Sequence, residues 1–127
     1  MLNKKEELFY MISHHELEKV KNELKENLDL NYRDKDGSTY LHVAVINYDY
    51  EITKLLVELG AEINCIDNSG NTPLEYAVGK ADEKSRKIAK YLIDKGADLD
   101  LKTGKYSARE MIVMFEDDEL IEYIKER

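Results

Sequence analysis

The 127-residue sequence contains little of what disulfide cross-links, membrane spans and chain disorder require. Its single cysteine, Cys65, excludes an internal disulfide and a cysteine-based zinc site. Its longest unbroken apolar run, Met111–Phe115, has five residues, whereas a helix needs about 20 to cross a bilayer. Six glycines and one proline are too few for a collagen-like or low-complexity chain. These absences predict a single folded domain, 1–127, that is soluble and lies in a reducing, cytoplasmic compartment.

Basic residues are also fewer than acidic ones, with 19 Lys and Arg against 27 Asp and Glu and a formal net charge of −8. A negative protein is repelled by the phosphates of nucleic acids and by anionic lipids. The excess of acids is spread along the chain and is not confined to one tail. We therefore expect no nucleic acid and no membrane among the partners of this protein.

A repeat of 33 residues runs through the sequence. The segments 34–44 and 67–77 carry Asp, Gly, Thr, Leu and Ala at the same relative positions. The segment 55–62 recurs as 91–98 at a spacing of 36, which implies a three-residue insertion within 79–87, and Gly104–Met111 follows Gly70 at a spacing of 34. A fixed period of this length is typical of stacked repeat architectures.

These motifs resemble the ankyrin repeat, with its Asp-x-x-Gly-x-Thr-Pro-Leu-His-x-Ala and Leu-Leu-x-x-Gly-Ala-Asp-x-Asn patterns. The resemblance covers nearly the whole chain and implies an all-α solenoid of about four stacked antiparallel helix pairs with short, projecting, hairpin-like loops. The implied units are an N-terminal cap (1–31), a repeat (32–64), a repeat with an insertion (65–100) and a C-terminal cap (101–127). Three departures from the pattern are Tyr40 in place of Pro, Glu75 in place of His, and 106–108 in place of Thr-Pro-Leu.

The local chemistry of the sequence favours the same helix boundaries. The hydroxyls of Thr39 and Thr72 are suited to cap a helix start, and Pro73 fits the first helical position. Gly60 and Gly96 are suited to the left-handed conformation that ends a helix, and Asn27 tolerates that conformation in the first unit. Each unit is therefore predicted as loop, helix, helix.

Residues that suggest chemistry have simpler structural interpretations. Adjacent side chains diverge by about 100° on a helix, so His14 and His15 do not share one metal ion. The acidic run 116–119 lacks the ligand spacing and the glycine of a calcium loop and is interpreted as a helix start. The resemblance gives His42 a structural hydrogen-bonding role. We expect no catalytic residues, no metal and no cofactor, with a metal-dependent enzyme as a remote alternative.

The resemblance implies a binding surface across the loop tips and the concave face of the first helices, and Tyr, Phe and Met are favoured there because each buries a large area. Tyr48, Tyr50, Met114 and Phe115 are the predicted anchors, and for two of them the alternative is a packing role, Phe115 in the core of the C-terminal cap and Tyr50 opposite Leu17 of the first unit. An enlarged loop within 79–87 is a further candidate. The predicted partner-binding residues are Lys35, Asp36, Ser38, Ile46, Asn47, Tyr48, Tyr50, Asn68, Ser69, Asn71, Lys80, Lys105, Met114 and Phe115.

The function indicated is that of a non-catalytic protein–protein interaction module, either a stand-alone inhibitor of the immunity-protein type or, as the alternative, an adaptor or host-directed effector that tethers other proteins. Repeat 32–64 has the largest acidic excess, and it contains both Tyr48 and Tyr50. We therefore expect a protein partner with a basic surface. The free protein is expected to be a monomer.

Overall fold

The computed structural model describes residues 3–25 and 29–127, and within these residues it consists of α-helices without any strand. Successive helices pair as antiparallel hairpins, and the odd-numbered and even-numbered helices form two packed layers, called here the inner and outer helices. This architecture confirms the predicted all-α solenoid. The helices are α1 (Lys4–Ser13), α2 (Leu17–Glu23), α3 (Tyr40–Ile46), α4 (Tyr50–Glu58), α5 (Pro73–Ala77), α6 (Glu83–Asp94), α7 (Ala108–Met114) and α8 (Asp118–Ile124).

Hydroxyl caps start the last three inner helices. Thr39, Thr72 and Ser107 each accept a hydrogen bond from the backbone N–H three residues later, and the side chain at that later position accepts from the backbone N–H of the cap. Such reciprocal pairs satisfy two backbone donors that would otherwise lack partners. Ser107 follows Thr72 at a spacing of 35, so the inner helix of the last unit lies one residue later than the spacing of 34 predicts.

The three inserted residues lengthen an outer helix. Asp49 and Asp82, which cap α4 and α6, are 33 residues apart, whereas the left-handed glycines that follow these helices, Gly60 and Gly96, are 36 apart. Accordingly α4 has 9 residues and α6 has 12. The prediction of an enlarged loop within 79–87 is therefore wrong, because the extra residues lie in α6, while a contribution of this segment to binding stays a prediction. The predicted helix end at Asn27 lies outside the described residues.

Backbone hydrogen bonds to asparagine side chains link the first unit to the second and the second to the third, after the ends of the outer helices. Asn31 Oδ1 accepts from the Glu62 N–H at 2.9 Å, and Asn64 Oδ1 accepts from the Asp98 N–H at 2.9 Å. Apolar side chains fill the space between the two helix layers, with Leu8, Leu41 and Leu74 at equivalent, buried positions. Each unit thus depends on its neighbours for burial, as stacked repeats do.

Candidate protein-binding surface

The turns that join inner to outer helices form one edge of the molecule, called here the elbow surface (residues 13–15, 46–48, 79–81 and 113–116). In each turn the residue just before the outer-helix cap is left-handed, with φ between 55° and 57° at His15, Tyr48, Ala81 and Glu116. None of them is glycine, although side chains disfavour this conformation. A left-handed residue therefore recurs before the outer-helix cap of every unit and presents a different side chain each time, although the third turn also has an extended Val78 and a left-handed Gly79.

Exposed apolar side chains concentrate on the elbow surface. Eight large apolar side chains are exposed among the described residues, and five of them lie here, each between 41% and 55% exposed. Scattered apolar exposure is ordinary, but a concentration of it indicates an interaction site. The five are Ile46, Tyr48, Val113, Met114 and Phe115.

Two predicted anchors, Tyr48 and Tyr50, line a shallow depression together with lysines of the next unit, Lys84 and Lys87. The ring of Tyr50 lies 4.0 Å from Lys87 Nζ and packs edge-on against Tyr91, with ring centroids 5.6 Å apart. Tyr50 is half-buried and packs against the core, whereas Tyr48 is exposed. Of these two anchors, only Tyr48 is a freely accessible contact.

Neither lysine is among the predicted contact residues, although both lie within 79–87, the segment predicted as an enlarged binding loop. They belong to α6 and lie beside Tyr48 and Tyr50 across the boundary between units. The spacing of the caps Asp49 and Asp82, 33 residues, was the signal that would have aligned α6 against α4 and located them.

Phe115 lies across the elbow of the preceding unit. A Cβ atom added at Gly79 would come within 2.8 Å of Phe115 Cδ2 and Cε2, so the absence of a side chain at Gly79 accommodates the ring. The ring remains 54% exposed. The turns of the last two units therefore form a continuous surface.

The acidic run 116–119 starts a helix, as interpreted from the sequence. Asp117 is the buried cap of α8 and accepts from the Leu120 N–H at 3.2 Å. Both of its carboxylate oxygens lie 3.1 Å from Arg86 Nε of the preceding unit. Glu116, Asp118 and Glu119 are exposed around it.

Several predicted loop-tip contacts are used within the protein. Ser38 is buried, with 9% of its surface exposed, so its prediction as a contact residue is wrong. Asn68 binds the neighbouring tip, with its N–H 3.0 Å from the Asp36 carbonyl and its Nδ2 3.2 Å from the Lys35 carbonyl. Asn71 Nδ2 donates to the Tyr76 hydroxyl at 3.3 Å.

The other predicted residues are distributed between the tips and the elbow surface. Asn47, half-buried on the elbow surface, donates from Nδ2 to the Val43 carbonyl at 2.8 Å. The remaining predicted residues are exposed polar side chains, namely Lys35, Asp36, Ser69, Lys80 and Lys105.

His42 has the structural role that the resemblance implied. Its Nδ1 accepts from the Thr39 N–H at 3.1 Å, and its Nε2 lies 2.9 Å from the Asn71 carbonyl. This pair of contacts requires the neutral imidazole with its proton on Nε2. Burial lowers the pKa of His42, against the raising effect of the Asn71 carbonyl.

At Asp67, burial raises the carboxyl pKa, but donation from the Tyr76 hydroxyl and from the N–H groups of Asn71 and Ser69 outweighs burial and lowers it. These contacts hold the loop in place.

Reactive groups elsewhere are buried or separated. Cys65 is buried, and desolvation raises the pKa of its thiol, which keeps it protonated. Among residues 3–25 and 29–127, no three His, Cys, Asp or Glu side chains are close enough to hold a metal ion. Within the same residues no helix has the length and apolar character to span a membrane.

A family model described as ankyrin repeats, three copies, matches residues 8–103. The chain is 33% identical over 98 residues to an ankyrin repeat protein of Borreliella burgdorferi, which covers 65% of this chain and 43% of that protein. It is 38% identical over 84 residues to an ankyrin repeat protein of Rickettsia felis, covering 61% and 37%. It is 50% identical over 52 residues to human B-cell lymphoma 3 protein, covering 40% and 12%. The chain thus spans less than half the length of each of these relatives.

Proposed function

We propose, from the premise that this chain belongs to the ankyrin repeat family, that it is a non-catalytic module that binds another protein through its elbow surface. Ankyrin repeats are protein–protein interaction modules, and the family is generally non-enzymatic. The observation that supports the elbow surface is the concentration there of five of the eight exposed large apolar side chains among the described residues. Apolar and aromatic anchors of this kind dominate the energy of protein interfaces.

The proposed partner has a basic surface. The net charge of −8 and the exposed acids Glu51, Glu116 and Asp118 on or beside the elbow surface favour a partner of opposite charge. Complementary fields act mainly on the rate of association. Lys84 and Lys87 moderate the negative field near Tyr48, so the acidic attraction is expected to be strongest around the last unit.

The proposed biological role is that of a stand-alone inhibitor, comparable to an immunity protein that covers the active surface of one toxin. The free protein is proposed to be monomeric and cytoplasmic. The concentration of exposed apolar side chains on the elbow surface supports a single partner. An adaptor or effector would instead hold two proteins at once.

The test begins with a pull-down of the tagged chain from source lysate, followed by purification of the captured protein. With that protein in hand, Tyr48→Ala is expected to weaken binding by at least about tenfold if Tyr48 is an anchor. Leu59→Ala is the matched control, because Leu59 is similarly exposed but lies outside the elbow surface. Higher salt should slow association more than it speeds dissociation.

Three results would contradict parts of this proposal. Unchanged binding by a folded Tyr48→Ala variant would exclude Tyr48 as an anchor of the elbow surface. Binding that does not depend on salt concentration would contradict the prediction that the partner has a basic surface. A ternary complex with two captured proteins would favour the adaptor over the inhibitor.

A further inference from the structure

One position of the inner helices is buried in three units and exposed in the last. Ile12, Val45, Val78 and Val113 each lie four residues before the cap of the outer helix. The first three are 0%, 1% and 4% exposed, whereas Val113 is 55% exposed. Each of the first three inner helices contacts the inner helix that follows it, α1 with α3, α3 with α5 and α5 with α7, whereas α7 is the last inner helix of the described residues. Val113 therefore presents the apolar contact that normally receives another helix.

A second position shows that the end of the solenoid is not uniformly apolar. Leu8, Leu41 and Leu74, all buried, are replaced in the last unit by Arg109. The guanidinium of Arg109 binds Asp100, with Nε 2.7 Å from Oδ1, and lies 2.7 Å from the Arg127 carbonyl. Polar contacts therefore close this part of the end, and the apolar contact is kept at Val113.

Val113 is continuous with Met114 and Phe115, both more than half exposed. We call this group, residues 113–115, the end patch. Because Phe115 lies over Gly79, the end patch has a fixed ring at one side and the flexible side chain of Met114 beside it. A contact of this composition suits an apolar stripe on a helix.

The charges around the end patch favour a basic partner over a second copy of this chain. Glu119 pairs with Lys90 at 2.7 Å, but Glu116 and Asp118 have no ion-pair partner within the described residues. Two copies meeting through the end patch would bring these free carboxylates together, which opposes self-association. A partner with Lys or Arg beside its apolar stripe would instead be attracted.

We propose that the end patch binds an amphipathic helical segment with basic flanks, which packs on α7 as a further inner helix would. This inference rests on the proposed function, because it names the docking point and the chemistry of the partner. It narrows that proposal by assigning the helix contact to Val113 and Met114, which are part of the elbow surface.

The probe is a synthetic Leu/Lys peptide of about 18 residues, long enough to form a helix on binding, with leucines at helical spacing. A scrambled peptide of identical composition and a Leu/Glu peptide of the same pattern are the controls. Binding to the full-length protein is measured by titration calorimetry, and the site by NMR shift changes of the backbone amides.

The Leu/Lys peptide is expected to bind, with shifts centred on residues 109–118, and the scrambled and Leu/Glu peptides at least about tenfold more weakly. Val113→Ser combined with Met114→Ser should weaken binding of the Leu/Lys peptide at least about tenfold. Glu116→Gln combined with Asp118→Asn should weaken it at least about threefold. Leu59→Ala, which lies outside the elbow surface, should leave its affinity within about twofold. Circular dichroism must show unchanged helix content in each variant.

Equal affinity for the scrambled peptide, or unchanged affinity of the folded serine variant, would overturn the inference. So would a concentration-dependent dimer in analytical ultracentrifugation that the serine variant abolishes, since a second copy would then be the occupant. Loss of the captured partner on Tyr48→Ala has no bearing on peptide binding at the end patch, so failure of the two proposals is distinguishable.

Discussion

The contrast between Val45 and Val113 predicts a large difference in their contributions to stability. Both valines occupy the penultimate position of a seven-residue inner helix, so replacing either with alanine changes helix propensity by the same amount. They differ in burial, at 1% and 55% exposed. The free-energy difference between Val45→Ala and Val113→Ala therefore reports the difference in burial at this position.

The magnitude follows from the carbon atoms removed. Valine to alanine removes two methylene equivalents, worth about 1.6 kcal/mol when fully buried, and a closed site adds a cavity cost of about 1 kcal/mol. Alanine recovers about 0.5 kcal/mol of helix propensity. Val45→Ala should thus lower the free energy of unfolding by about 2 kcal/mol. For Val113, with about half of the transfer energy and no closed cavity, the change should be less than about 0.5 kcal/mol.

The assay is urea denaturation of the purified protein followed by helical circular dichroism, with midpoints and slopes compared among the parent and both variants. Equal slopes are needed, because a changed slope would mean that the units no longer unfold together. If Val113→Ala lowered the free energy of unfolding as much as Val45→Ala, Val113 would be covered in the folded protein and the reasoning about the end patch would be refuted.

Three further outcomes are expected from side chains already described. Since burial lowers the pKa of His42 below its value in the unfolded chain, the unfolded state binds more protons as the pH falls. Unfolding free energy should therefore decrease from pH 7 to about pH 5.5, and the decrease should be smaller in His42→Gln, as measured by urea denaturation at each pH. Gly79→Ala should lower the midpoint of thermal unfolding more than Gly60→Ala, because both glycines are left-handed but only Gly79 meets another side chain, Phe115; equal effects would exclude that contact. Asp117→Ala should lower the free energy of unfolding by about 2 kcal/mol, because it removes a helix cap and the partner of Arg86. Asp117→Asn keeps the cap and should lower the free energy of unfolding less in the same denaturation assay.

The parts of the fold that local chemistry determines were predictable from the sequence. Thr39 and Thr72 start helices because a hydroxyl suits the free N–H groups there, and Gly60 and Gly96 follow helices because they adopt positive φ. The exposure of Tyr48, Met114 and Phe115 also followed from their place in the repeat.

Features that depend on packing between units were not predictable in this way. The cap at Ser107 was misplaced by one residue because the spacing was read from Gly104, although Ser107 and Glu110 form a recognisable capping pair. The repeat places Ser38 at a loop tip and so predicts a contact residue, whereas the side chain is buried in the folded protein. Tyr50 is partly covered by Tyr91 and Lys87, which approach from another unit.

The distance in sequence between the inner-helix cap and the outer-helix cap is the same in three units, from Thr39 to Asp49, from Thr72 to Asp82 and from Ser107 to Asp117. Variation in length is absorbed elsewhere, as in α6. Because contacts in such proteins are confined to neighbouring units, the residues at the turns can be substituted without moving the helices that flank them. Related proteins can thus change their binding partner by single substitutions at the turns. Insertions can be accommodated in the outer helices, as in α6, with little effect on the positions of the turn residues.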